Sequence, residues 1–238
     1  MATAQATRLE EARRVLADAS GRVGVVPTGA EGGARPRVIA TGVSGLDALL
    51  GGGLERGHLI ELTGPPASGR MALTLHLLDQ ATHRGEPVAL IDVVDALNPG
   101  DIDPALRPRV LWVRPRGVLA GLQAVDLLLD AGGFSLVVLY LVGATPRGQR
   151  GERVAGSAWA RLARRAEATR TTLLAVTDGS AAQAPGSFAA VSLGMRSRRV
   201  RWVGGRNLLE AVEGEIVLVR HRRGWGVGRS VRFGATTP

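Results

Sequence analysis

Residues 64–71 read Gly-Pro-Pro-Ala-Ser-Gly-Arg-Met. This is the outline of a phosphate-binding loop, G-x-x-x-x-G-K-[ST], in which glycines let backbone N–H groups converge on phosphate at a helix N-terminus. Gly64 and Gly69 stand at the right spacing, and Ser68 lies between them. Two chemical groups differ. Arg70 stands where a lysine would reach the terminal phosphates, and Met71 where a hydroxyl would ligate magnesium. Methionine offers no hard oxygen to magnesium, and arginine is a wide planar fork rather than a compact point charge. The chain contains no lysine, so all 30 of its basic residues are arginine, and Arg70 taken alone could be lysine by another codon. Met71 has no such explanation. The loop therefore reads either as an anion-binding nest or as a turn kept for the fold.

Composition closes off other chemistry. With no cysteine, disulfides, thiolate catalysis and cysteine-bound zinc are excluded. His58, His76, His83 and His221 do not fall at metal-ligand spacing, and no metal site is expected. No apolar run reaches the ~18 residues of a membrane span, and the polar N-terminus does not read as a signal peptide. A cytoplasmic protein, associated with the nucleoid if it binds DNA, is expected.

Charge is distributed unevenly. The net charge is +9, yet residues 1–143 hold 13 Arg against 15 acids, and residues 144–238 hold 17 Arg against 6. A one-sided basic half suits a polyanion, or simply a solvated surface. The densest stretches carry Arg147, Arg150 and Arg153, then Arg161, Arg164 and Arg165, then Arg196, Arg198, Arg199 and Arg201 with Trp202 interleaved. In a strand, Arg199 and Arg201 would share a face and could follow a phosphate backbone. Trp202 could stack on a base or pack into the core.

These residues need elements to hold them. Residues 7–19 read as a short amphipathic helix with Leu9, Ala12 and Leu16 on one face, a candidate docking surface for a partner. A Gly/Pro-rich linker follows, so residues 1–36 form a leader and 37–238 a single core domain. Within the core, apolar strands at 58–63, 87–94, 109–113, 135–142 and 171–178 alternate with helices at 71–82, 118–133 and 157–169. Ser157 is the expected N-cap of the last helix. Continuous apolar strands alternating with helices predict an α/β fold with a mostly parallel sheet covered on both faces. Residues 188–196, 199–204, 214–223 and 229–233 predict antiparallel strands at the C-terminal side.

The stretch TGVSGLDALLGGGLERGHLIELTGPPASGRMALTLHLL, residues 41–78, resembles the entry to the core of RecA-type recombinases, and the likeness runs on through ALIDVVDALNP (89–99), FSLVVLYLV (134–142) and TTLLAVTD (171–178). The resemblance implies a RecA-like core. Carried over by position, it puts the phosphate lysine on Arg70, the magnesium hydroxyl on Met71, the water-activating glutamate on Val94 and the magnesium-associated aspartate on Tyr140. The nucleotide-sensing glutamine falls at or near Asp178. Neither Val94 nor Tyr140 can supply a carboxylate. A core with these losses and no DNA-gathering domain behind it is similar to the ImuA family of bacterial translesion mutagenesis. That resemblance implies a non-hydrolysing adaptor with no catalytic residue and no required cofactor, ATP binding being the weaker alternative. Implied partners are ImuB, RecA and single-stranded or duplex DNA, with a monomer or small oligomer as the assembly. An ATP-binding regulator of the RecA/KaiC type and a cell-division inhibitor of the SulA type are the competing readings.

Overall fold

The computed structural model describes residues 37–105, 107–144, 153–180, 183–203 and 208–236, together with Arg14, Asp18, Ala19 and Gly21, which are helical. Leu9, Ala12 and Leu16, linker residues 22–36, and Arg147 and Arg150 lie outside the described residues, whereas Gly21, at the start of the expected linker, is helical.

The chain enters through β1 (Val38–Ile39), α1 (Ser44–Leu50) and β2 (Leu54–Glu55), with β1 and β2 paired as a small antiparallel sheet. The core alternates β3 (Leu59–Thr63), α2 (Arg70–His83), β4 (Val88–Asp92), β5 (Val110–Val113), α3 (Val118–Ala131), β6 (Leu136–Tyr140), α4 (Gly156–Thr169) and β7 (Thr172–Val176). It closes with β8 (Val191–Val203), β9 (Leu208–His221) and β10 (Ser230–Thr236). One eight-stranded sheet has the order β10-β9-β8-β3-β7-β6-β4-β5. Its strands from β8 to β5 are parallel, and β9 and β10 extend it antiparallel.

The apolar runs became buried strands because both sheet faces are covered. Leu90, Val138 and Leu174 face α2, where Leu73, Leu77 and Leu78 pack, while Ile91, Val137 and Leu173 face α3 and α4, where Val125, Leu128, Trp159 and Leu162 pack. Two expectations are corrected. The strands expected at 188–196 and 199–204 are one strand, β8, with register shifts at Ser197/Arg199 and Arg201/Trp202. Such bulges bend a strand without ending it. β8 also pairs parallel with β3 on its other side, so it is not a purely antiparallel element. Ser157 is not the N-cap of α4: Ala155 is, with no side-chain cap, and Ser157 lies inside the first turn.

Candidate functional site

Parallel strands send their C-terminal ends to one pole, which is where open α/β sheets bind ligands. Thr63, Asp92, Tyr140 and Val176 all lie at this end of β3, β4, β6 and β7, and the registers pair Asp92 with Tyr140 and Tyr140 with Val176. The loop 64–69 leaves β3 here and enters α2. Ala67 and Gly69 adopt left-handed backbone, with φ of 58° and 89°. No side chain caps α2, and Leu73 N–H donates to the Gly69 carbonyl at 2.9 Å. The turn and the helix start thus keep the outline of a phosphate loop, with the Ser68 N–H donated to the Pro65 carbonyl at 3.3 Å inside the turn.

The glycines of this loop have reasons independent of any ligand. A Cβ at Gly64 would lie 2.6 Å from the Met195 carbonyl oxygen of β8 and 2.7 Å from Ser68 Oγ. At Gly69 the Phe233 ring of β10 would lie 3.3 Å away and Met195 Cε 3.5 Å. β8 and β10 therefore press directly on the loop. Ser68 is buried, and its Oγ has no hydrogen-bond partner among the described residues.

Arg70 turns inward. It is 5% exposed, and its Nη1 donates to the Thr177 carbonyl at 2.6 Å, across to the end of β7. Burial pulls the Arg70 pKa below the usual arginine range, while Tyr140 and Asp178 favour the charged form. Tyr140, buried at the end of β6, is pushed up by burial; the Arg70 charge opposes this and Asp92 adds to it, so its phenol stays neutral. Met71 is half-buried, and both it and Val94 pack against the core on the α2 side.

The carboxylates nearby are committed to structure. Asp92 is buried; its Oδ1 accepts from Ala96 N–H at 3.0 Å and its Oδ2 from Leu97 N–H at 2.9 Å, which fixes the loop after β4. Asp95 is exposed, left-handed with φ 56°, and lies 3.6 Å from Arg114. Asp178 accepts from Ser180 N–H at 2.8 Å in an exposed turn. Among the described residues no group of three or more His, Asp or Glu side chains is placed to hold a metal.

The basic candidates are dispersed. Arg153 is exposed just before α4. On α4, Arg161 and Arg165 lie 3.4 and 3.1 Å from Asp126 of α3, and Arg165 also reaches Asp130 at 2.5 Å. Two of the three expected patch arginines are thus partly neutralised, and Arg164 has no ion-pair partner among the described residues. On β8, Arg196, Arg198 and Arg199 are exposed, and Arg201 holds its strand position opposite Ala211. Arg198 donates to Glu215 Oε2 through Nε at 2.7 Å and Nη2 at 2.5 Å. Hydrogen bonds from Ser230 and Arg198 hold the Glu215 carboxyl below the usual range. Sequence reading missed Glu215 as the acid that engages Arg198. The register that joins them lies across two strands.

A parallel sheet covered on both faces, with a glycine turn opening a helix at the strand ends, defines the RecA-like class of α/β core. The RecA N-terminal domain model matches residues 7–177, and the chain belongs to that family. It is 34% identical to Protein RecA of Gluconobacter oxydans over 150 residues, which cover 59% of this chain and 42% of that protein. It is 37% identical to Protein RecA of Streptomyces venezuelae over 121 residues, covering 47% and 31%. The chain thus spans well under half the length of these relatives. In structure it matches the RadB recombinase with a TM-score of 0.64 over 82% of this chain and 95% of that one, at 21% identity, which shows the shared fold.

Proposed function

We propose that this chain is a RecA-like adaptor that does not hydrolyse nucleotide and that serves bacterial DNA damage tolerance, as its resemblance to the ImuA family implies. The observation that carries this reading is the Arg70 guanidinium, buried and bonded to the Thr177 carbonyl, between the ends of β6 and β7. In a working site that region receives phosphate and magnesium. Here the donor set does not fit a magnesium nucleotide: Met71 has no oxygen, Tyr140 has no carboxylate, and Val94 cannot activate water. The loop keeps its shape because β8 and β10 pack on its glycines. Its partners in this reading are ImuB, RecA and DNA, with Arg153, Arg196, Arg199 and Arg201 among the phosphate contacts.

The test is a titration of fluorescent ATP and of single-stranded DNA on one sample, alongside copurification with ImuB. The reading expects no magnesium-dependent turnover, salt-sensitive DNA binding, and retention of ImuB. Magnesium-dependent turnover that is lost in Arg70→Ala would establish an ATP-using regulator instead. Retention of a division GTPase in place of ImuB would favour the SulA-type reading.

A further inference from the structure

The pole opposite the loop carries three hollows that share walls. The first, about 320 Å³, lies between the start of β3, α4 and the turn at residues 186–188, over Leu59, Ala160, Ala163 and Ala190. The second, about 170 Å³, shares His58, Ala190 and Arg222 with it and extends to Val191 and His221. The third, about 200 Å³, shares Ile60, Val191 and Arg223 with the second and ends at Leu50 and Trp225. Together they make one groove across the N-terminal ends of the central strands. An exposed Phe188 stands at one end and Trp225 at the other.

The groove has an apolar floor and an unbalanced rim. Its lining holds Arg37, Arg164, Arg222 and Arg223 against Glu55 and Glu167. Glu55 is already taken, accepting from Arg37 Nε at 2.9 Å and from Arg223 Nη2 at 2.9 Å. His221 is held neutral: its Nδ1 accepts from Arg223 N–H at 3.1 Å, and burial together with the Arg223 charge keeps its pKa below the usual range. Arg164 and Arg222 are exposed and have no ion-pair partner among the described residues. Two free guanidinium groups beside an aliphatic floor complement a segment bearing both carboxylates and apolar side chains. A nucleic acid would need a longer row of cations and would gain little from Leu, Ala and Val.

We propose that this groove docks an acidic protein segment that lowers apolar side chains onto Leu59, Ala190 and Val191 while its carboxylates meet Arg164 and Arg222. The proposal rests on the adaptor reading for the need of a protein partner, and on the groove alone for that partner's chemistry. It places the partner on the face away from the loop, leaving the β8 arginines free.

The test selects a phage-displayed random dodecapeptide library on the full chain and titrates the enriched peptides. Peptides with Asp or Glu flanking Leu, Met or Phe are expected. Their affinity should fall about tenfold or more in Arg164→Glu/Arg222→Glu, a variant with exposed substitutions and an unchanged melting temperature. Phe188→Ala should weaken them without altering charge. No enrichment, enriched peptides lacking acids, or equal binding by the charge-reversed variant would overturn the proposal. So would displacement of the peptides by an oligothymidine that depends on the same two arginines. ATP turnover would defeat the adaptor reading while leaving peptide binding intact, so the two failures are distinguishable.

Discussion

Arg70, at the lysine position of the loop, turns its side chain to the fold. Its guanidinium spends a charge-assisted hydrogen bond on a backbone carbonyl 107 positions away. Arg70→Ala should therefore destabilise the fold by about 1.5–3 kcal/mol, the range for hydrogen bonds to charged groups, read as a lower urea midpoint. Restoring the motif by Arg70→Lys with Met71→Thr should not produce ATP turnover in a phosphate-release assay, because Val94 and Tyr140 still supply no carboxylate. Gly64 carries a separate prediction. Its missing Cβ makes room for the Met195 carbonyl, which is backbone and cannot swing away. Gly64→Ala should cost about 1–3 kcal/mol by overpacking, with or without added nucleotide. A loss seen only when nucleotide is present would show that the glycine serves a ligand.

Elements hold together through two kinds of joint. The α3–α4 joint is apolar at its centre, with Trp159 buried, and charged at its rim through Asp126, Asp130, Arg161 and Arg165. Trp159→Ala should cost about 3–5 kcal/mol. Removing Asp130 should cost about 1 kcal/mol or less, because exposed pairs are screened; both are measurable by chemical unfolding. The joint at Glu55 is ionic and links β1, β2 and the turn after β9. Burial alone would raise the Glu55 carboxyl, but the hydrogen bond from Arg37 and the charges of His58, Arg223 and Arg37 outweigh it and hold it below 4.5. Glu55, Glu215 and His221 are all depressed in the fold. The unfolded chain then binds more protons, so stability falls on acidification. The His221 part begins to go as pH drops below 6.5 and the carboxylate part below 4.5. Melting temperatures followed from about pH 8 to pH 4 should fall along both limbs, and Glu55→Gln should flatten the lower one.

At the scale of the molecule, the β8 arginines beside the loop and the apolar, cationic groove sit at different ends of the same sheet. Under the proposed adaptor function, DNA binding through the arginines should weaken steeply with salt and ignore sequence. Arg199→Ala should reduce the slope of log affinity against log salt by about one contact's worth, measured by fluorescence anisotropy at several salt concentrations. No helix among the described residues is long and apolar enough to cross a membrane.

The core strands β3, β4, β6 and β7 were legible because a strand buried on both faces is almost continuously apolar, and their runs are so apart from Glu61, Thr63, Asp92 and Thr172. The helices between them were legible from the same alternation. β8 was not, since Arg198 and its neighbours break the apolar pattern and the bulges that let the strand continue are set by pairing with β9. The sequence by itself also determined that position 70 holds no lysine and position 71 no hydroxyl, and that Val94 and Tyr140 stand where the resemblance would put carboxylates. It could not determine where Arg70 points, because Thr177 is distant in sequence and adjacent only once β3 and β7 pair. It could not show the groove either: His58, Arg164, Ala190 and Arg222 come from four separate segments. Local periodicity fixes which face of an element is buried, whereas a site made of strand ends and helix faces exists only after the sheet has chosen its order.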